Sequence, residues 1–303
     1  MKAVVLHEYG PASKLRYEEV EDPKPAADEV VVGVAAASIN PVDWMLRSGA
    51  IRELIPIEFP HILGIDLAGV VREVGERVSG FKRGDRVMAL AAQTYAELCA
   101  VKAGDLVKIP DGLEMTTAAT LPLVNVTGEQ LVRLGAKVKP GQTVIISGAL
   151  GGVGRSAVFA ALEIGARVIA GVRGSKLDAA RKLDGVVEAV AIDDDAEIDK
   201  LGVVDCVADT IGGRVALKLI AKVKQGGAFG CFPSTPQDAA IHPSIEINSV
   251  YAKVDTATTR HYAEAVRDGR LTIPIDRIVP LADAAQAHAA AEKGGVAKIV
   301  LIP

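Results

Sequence analysis

Aromatic side chains are scarce in this chain: one tryptophan, five tyrosines and five phenylalanines in 303 residues. That leaves no stripe of aromatic and basic residues of the kind that stacks single-stranded nucleic acid. Positive charge is not in excess either. Lysine and arginine number 34 against 38 aspartates and glutamates, a formal net charge of −4. Such a balance argues against a nucleic-acid or anionic-membrane partner and leaves room for a local basic pocket. The three cysteines, Cys99, Cys206 and Cys231, are odd in number and far apart. They fit a reducing cytoplasm and form neither a disulfide framework nor a metal cluster. No apolar run reaches membrane-spanning length. Met1 to Glu8 reads as the start of a strand rather than as a signal peptide. The expected location is therefore cytoplasmic.

Half of the residues are hydrophobic and 30 are glycine. Alanine, valine and glycine in abundance suit parallel α/β packing, and the length suits two domains. The densest information lies at residues 143–154, TVIISGALGGVG. Thr143 to Ile146 is a β-branched run suited to a buried parallel strand. Ala157, Val158, Ala161 and Leu162 then mark one face of a helix, with Gly165 as its C-cap. Between them, Ala149-x-Gly151-x-x-Gly154 fits the dinucleotide fingerprint with alanine in the first glycine position. The middle glycine lets a pyrophosphate approach the backbone, and the last lets helix and strand pack closely. The helix N-terminus offers free N–H groups to the anion. Ser147, Ala149, Leu150, Gly151, Gly152 and Val153 are accordingly candidate cofactor contacts. The rival reading is a plain tight turn.

An acidic residue about 20 residues past these glycines would receive the ribose 2′-hydroxyl of NADH. Here the neighbourhood is Arg173-Gly-Ser-Lys176, with no carboxylate before Asp178. Arg173 and Lys176 suit a 2′-phosphate, and Ser175 can donate to it. The pattern favours NADPH. The bland alternative is a pair of solvated residues starting a helix.

Residues 1–118 read as a turn-rich antiparallel β domain, with strands at 2–6, 29–37, 67–74 and 86–90. Loops are expected near 44–59 and 232–250. From 119 the texture becomes alternating strand and helix, with strands at 143–147, 167–170, 187–192, 204–208 and 227–231, the rhythm of a doubly wound parallel sheet. A helix at 256–268, a β segment at 272–278, a helix at 282–292 and a strand at 297–302 follow. This tail is too small to fold alone. It is expected to rejoin the first domain, giving 1–118 and 247–303 as a β-rich substrate domain around a nucleotide domain at 119–246. Ligands would then bind between domains, at the C-terminal ends of the parallel strands. Ala208 and Asp209 end one such strand, and Phe232 and Ser234 follow the next.

Nine fragments in order carry a family resemblance. They are ASINPVD at 37–43, GIDLAGVV at 64–71, VG at 74–75, GDRV at 84–87 and AATLP at 118–122 with Thr127. The glycine loop, DCVADTIGG at 205–213 and AKIVL at 297–301 complete the set. Together they resemble the zinc-independent NADPH:quinone oxidoreductases, the zeta-crystallin-like group of medium-chain dehydrogenase/reductases. The resemblance implies an α/β architecture, a GroES-like β-rich substrate domain plus a Rossmann doubly wound domain. It also implies a homodimer or homotetramer, with 241–250 as a strand pairing across subunits. A loop-covered internal edge is the rival for that segment.

The zinc members of the superfamily carry a cysteine near position 40 and Gly-His-Glu later. Here those segments read Ser38-Ile-Asn40 and Gly64-Ile-Asp66, so no zinc is expected. Without a Lewis acid, the chemistry suits acceptors that take hydride directly, namely quinones and α,β-unsaturated carbonyls.

The resemblance places Asn40 and Asp43 beside the nicotinamide. Asn40 would donate to the acceptor oxygen, and an exposed, ionised Asp43 would orient Asn40 or a water; an Asx turn before Pro41 is the rival. Tyr95 would line the pocket or donate a proton, with a core aromatic as the rival. Thr127 would contact the nicotinamide ribose or phosphate region, its alternative being a helix threonine bonding its own turn. Lys298 is expected to be solvated. Asp193, Asp194 and Asp195 depart from the family pattern and would weaken NADPH binding unless they point outward. Two other functions stay open: an NADPH-binding sensing or structural protein, and an enoyl-reductase component of a larger assembly.

Overall fold

The structure is a computed structural model, described at residues 1–232 and 244–303. It divides into two compact units, Met1–Leu123 with Val254–Pro303, and Val124–Lys253. These junctions lie a few residues beyond the boundaries read from sequence texture.

The first unit opens with β1 (Lys2–Leu6), β2 (Leu15–Glu19) and β3 (Glu29–Ser38). Helix α1 (Pro41–Ser48) follows, where a loop was expected. Its start combines Asn40 at the N-cap, Pro41 at the first helical position and Asp43 at the third, and Gly49 ends it with φ 78°. Proline is pre-shaped for that first position, and glycine takes the left-handed C-terminal conformation without strain. Strands β4 (His61–Ile62), β5 (Asp66–Val74), β6 (Arg86–Leu90), β7 (Leu98–Lys102) and β8 (Leu106–Lys108) come next. They lead to α2 (Met115–Ala118) and α3 (Pro122–Gln130), which runs across the junction.

The second unit continues with β9 (Thr143–Ser147), α4 (Gly152–Ile164), β10 (Arg167–Val172), α5 (Leu177–Ala180) and β11 (Val186–Ala191). Then come α6 (Asp195–Lys200), β12 (Val204–Asp209), α7 (Gly213–Ile220), β13 (Val223–Cys231) and β14 (Glu246–Ser249). Back in the first unit, α8 (Thr256–Arg267), β15 (Ile275–Pro280), α9 (Ala284–Glu292) and β16 (Lys298–Ile302) close the chain.

All six strands of the second unit are parallel, in the spatial order β11-β10-β9-β12-β13-β14. Counting from β9, that is 3-2-1-4-5-6, the doubly wound nucleotide-binding order. Its crevice opens where the order reverses, between β9 and β12. β14 is the edge strand of this sheet. In the first unit, β16 pairs antiparallel with β3 and parallel with β15, which joins the tail to a seven-stranded sheet. Its core gathers Val30, Val32, Leu67, Val71, Val87, Ile299 and Leu301. That of the second gathers Ile145, Ile169, Val207, Leu219 and Phe229.

Candidate functional site

Two polar centres stand out, one in each unit. In the second unit, the glycine loop sits at the C-terminal end of β9, beside the end of β12. Ser147 Oγ donates to Asp209 Oδ1 at 2.5 Å, and the Thr210 N–H donates to Ser147 Oγ at 2.8 Å. Asp209 also accepts from the N–H groups of Ile211 and Gly212. Burial holds the Asp209 carboxyl above its ordinary range, against these bonds. Ser147 and Asp209 are both fully buried. They clamp the two strands at the reversal point.

The loop itself has the shape an anion needs. Gly151 caps α4 and is exposed, and Gly152 and Val153 open the helix. A Cβ on Gly154 would stand 2.0 Å from the Gly148 carbonyl oxygen, so only glycine lets α4 lie this close to the end of β9. Ala149 is buried and Leu150 half-buried. Thr127 is buried on α3, next to Gly128, whose absent Cβ lets α4 approach at Ser156 and Val153. Ala208 is buried in β12. Phe232 is half-buried and donates its N–H to the Asp209 carbonyl. Ser234 lies outside the described residues.

Arg173, Ser175 and Lys176 are exposed after β10. The three acids that interrupt the family pattern separate. Asp194 caps α6 through the Ala196 N–H at 2.9 Å. Asp195 pairs with Lys218 at 2.9 Å and with Arg214. Only Asp193 turns to this loop, accepting the Gly174 N–H at 2.7 Å.

The first unit holds a fully buried polar cluster of Ser38, Asn40, Asp43, Asp66 and Tyr95 with Lys298. Asp66 Oδ2 accepts from Ser38 Oγ and from Asn40 Nδ2, both at 2.8 Å, and lies 3.5 Å from Lys298 Nζ. Lys298 Nζ donates to Ser38 Oγ at 3.0 Å and to Asn40 Oδ1. The expected solvated lysine is thus 8% exposed and central. Its ammonium and the Asp66 carboxylate fix the Asn40 carboxamide in one orientation. A flipped amide would set Nδ2 against the ammonium and Oδ1 against the carboxylate. Burial lowers the Lys298 pKa from its ordinary value, and Asp66 and Asp43 oppose that fall.

Asp43 is also buried, contrary to the exposed carboxylate expected. Its Oδ2 accepts the Asn40 N–H at 2.7 Å and the Tyr95 hydroxyl at 2.8 Å. The first of these is one arm of a capping box for α1. Asp43 Oδ1 has no hydrogen-bond partner among the described residues. Burial pushes this carboxyl up to about 7, even though the Asn40 and Tyr95 bonds pull it down. Tyr95 is fully buried and its hydroxyl donates to Asp43. Its ring meets His288 edge-on at 5.6 Å. Burial and the nearby Arg47 hold His288 down at about 3.

Asp43 and His288 have opposite linkage to stability. A raised carboxyl makes the folded state hold the extra proton between about pH 4 and 7. Asp43's contribution to stability therefore falls as pH rises through that window. A lowered imidazole leaves the extra proton on the unfolded chain between about pH 3 and 6.5, so the His288 contribution rises with pH. The two slopes cancel where they overlap. Asp43→Asn is expected to make stability climb with pH between 4 and 6.5 relative to wild type, and His288→Gln to make it fall. Each slope should approach about 1.4 kcal/mol per pH unit. Urea titrations across that range test this, and variant curves parallel to wild type would refute it.

The expected catalytic-zinc positions do not fit zinc. Ser38-Ile-Asn40 and Gly64-Ile-Asp66 stand there, with Ile65 at the histidine position and the Lys298 ammonium between Ser38 and Asp66. Among the described residues, no group of three or more histidine, cysteine, aspartate or glutamate side chains is placed to hold a metal. A dinucleotide fits the second unit, where the cradle at Gly151 to Gly154 and the basic loop after β10 would hold it.

This fold, a β-rich unit joined to a 3-2-1-4-5-6 sheet with a glycine loop at its reversal, defines a nicotinamide-type oxidoreductase architecture. Comparison with known proteins agrees. Residues 26–111 match the alcohol dehydrogenase GroES-like domain family, and residues 179–301 the zinc-binding dehydrogenase family. The acryloyl-coenzyme A reductase of Sulfurisphaera tokodaii is 31% identical over 258 residues, 75% of each chain. The chloroplastic quinone-oxidoreductase homolog of Spinacia oleracea is 34% identical over 168 residues, 52% of this chain and 51% of its own length. The matched region thus spans about half the length of that relative. The quinone oxidoreductase structure from Coxiella burnetii superposes with a TM-score of 0.92 at 26% identity, covering 100% of this chain and 99% of its own. The chain belongs to the medium-chain dehydrogenase/reductase family and is quinone-oxidoreductase-like. Among the described residues no helix is long and apolar enough to cross a membrane.

Proposed function

We propose that the protein reduces quinones or α,β-unsaturated carbonyls with NADPH, without zinc. The observation that carries this reading is the basic loop Arg173 to Lys176, whose two cationic side chains form no ion pair among the described residues although Asp193 accepts the Gly174 N–H, beside a glycine cradle at the sheet reversal. No carboxylate ends β10, where an NADH site would place one. A bound nicotinamide coenzyme supplies the hydride. The backbone N–H groups of Gly152 and Val153 hold its pyrophosphate, and the Gly151 N–H, which donates to the Gly148 carbonyl at 2.8 Å, fixes the turn beneath it. Thr127, Ala149, Leu150, Ala208 and Phe232 line its course, and Arg173, Ser175 and Lys176 hold the 2′-phosphate.

Hydride arriving at a quinone or enone leaves an oxyanion, which needs a donor. Asn40 Nδ2 is that donor. Its second proton makes only a 3.3 Å bond to the Ser38 carbonyl, the longest of Asn40's polar contacts and the easiest to exchange for an acceptor oxygen. Asp43, bonded to the Asn40 backbone and titrating near neutrality, is the proton-bearing group beside it. The acryloyl-coenzyme A reductase relative supports an activated alkene as acceptor, and the quinone-oxidoreductase relatives support a quinone.

The test follows NADPH and NADH consumption against 1,4-benzoquinone, 9,10-phenanthrenequinone, 2-cyclohexenone and an alkenal, with a chelator present. Chelator-resistant turnover favouring NADPH is expected, and silence on every acceptor would refute the reading. Arg173→Glu with Lys176→Glu should cut the NADPH-over-NADH ratio of kcat/KM by roughly 10- to 100-fold, the loss of one or two charge-assisted phosphate bonds. An unchanged ratio would place the 2′-phosphate elsewhere.

A further inference from the structure

Arg155 is the one residue of the glycine-loop region whose charge the fold does not explain. It lies in the first turn of α4, one residue past Gly154. The positive end of a helix dipole disfavours a cation there. Side chains on a helix lean toward its N-terminus. Accordingly Arg155 Nε reaches back and donates to the Leu150 carbonyl at 3.2 Å, which lays the guanidinium along the glycine loop. Arg133, Arg181 and Arg214 of this unit pair with Glu129, Asp178 and Asp195, and the exposed Arg167 and Arg173 are left to solvent. Arg155 has no carboxylate partner among the described residues, and it is half-buried. Burial alone lowers its pKa, with no charged neighbour contributing. A partly desolvated cation, anchored through Nε at a helix start, leaves its two terminal amino groups for an anion.

We propose that Arg155 is a pyrophosphate-binding residue, its Nη groups completing the cradle that the Gly152 and Val153 N–H groups form around the two bridging phosphates of the dinucleotide. This rests on the cofactor reading above but names a contact that reading does not need. The pyrophosphate is common to NADPH and NADH, whereas Arg173 and Lys176 serve only the 2′-phosphate, so the two assignments separate.

The experiment measures dissociation constants of NADPH, NADH, ADP and AMP for wild type, Arg155→Ala and Arg155→Lys, with thermal melting of each protein with and without NADPH. Arg155→Ala should weaken NADPH, NADH and ADP by a common factor of about ten, the worth of one charge-assisted contact. AMP, with its single phosphate, should change least, and Arg155→Lys should recover part of the loss. Without ligand, the Arg155→Ala protein should melt no lower than wild type, because a misplaced cation has gone; with NADPH it should gain less. Unchanged constants would overturn the proposal. So would a loss confined to NADPH, which would put Arg155 on the 2′-phosphate, or a lower melting point without ligand, which would make it structural. Wild type binding neither NADPH nor NADH would overturn the cofactor reading and this inference together.

Discussion

Gly154→Ala is expected to destabilise the second unit and abolish cofactor binding, while Gly151→Ala, three residues earlier, should abolish binding alone. The added methyl at 154 would stand 2.0 Å from the Gly148 oxygen, 2.7 Å from its carbonyl carbon and 2.8 Å from Ala149 Cα. All three are backbone atoms, so no side-chain rotation relieves the clash. Helix α4 must withdraw from β9, breaking the packing of Ala157 and Ala161, both fully buried. Overpacking a core costs about 1–3 kcal/mol even where side chains can adjust, and this site is stiffer. At Gly151 the nearest atom to an added Cβ is the Gly148 oxygen at 3.3 Å, and φ is −75°, a value that alanine adopts freely. That methyl would instead project where a pyrophosphate approaches the backbone. Urea unfolding followed by circular dichroism, with NADPH fluorescence enhancement as the binding readout, separates the two. If Gly154→Ala kept wild-type stability, the close approach would carry no energetic weight. If Gly151→Ala bound NADPH normally, the pyrophosphate would lie elsewhere.

How much of this was legible in the sequence follows from how local each feature is. The strand, turn and helix from Thr143 to Gly165 were legible because each signal lies within a few residues of what it specifies. Gly165 ends α4 at φ 85°, as its position implied. Helix α1 was just as local, with Asn40-Pro41, Asp43 and Gly49 in the capping positions, yet Asn40-Pro41 read equally well as an Asx turn. Asparagine and aspartate serve catalysis and helix capping alike, so the residue types of this stretch do not by themselves separate the two roles. Arg47 explains part of the difficulty. An arginine inside a short helix looks solvated, but here it is 1% exposed and pairs with Glu292 at 2.7 Å, 245 residues away. Lys298 misled for the same reason. Nothing beside it in the chain shows that β16 joins β3 and brings its ammonium to Ser38 and Asn40. Asp43 and Tyr95 are visible in the sequence as polar groups, but their mutual bond is set by strands and helices that sequence spacing does not order.

Asp66→Ala is expected to be the most destabilising single change in the first unit, by roughly 3–5 kcal/mol, the cost of leaving a buried charge without its partner. The carboxylate is fully buried and bonded at both oxygens. Oδ2 serves Ser38, Asn40 and Lys298, and Oδ1 accepts the Leu123 N–H at 2.8 Å at the start of α3. Its removal strands three donors, and the ammonium loses its counter-charge. With that charge gone, desolvation acts on Lys298 unopposed except by Asp43, so the lysine must either deprotonate or draw in water. Lys298→Met should cost less than Asp66→Ala, because Ser38, Asn40 and Leu123 still satisfy the carboxylate. The double variant Asp66→Ala with Lys298→Met should lose less than the two single losses added together, since removing both members of a buried ion pair leaves no uncompensated charge. The chain's only tryptophan, Trp44, lies in α1 of this unit, so its fluorescence reports the unit's unfolding directly. Urea curves followed at that residue give the three stabilities. Additive losses would show that Asp66 and Lys298 act independently, and the orientation lock on the Asn40 carboxamide would then have to come from Ser38 alone.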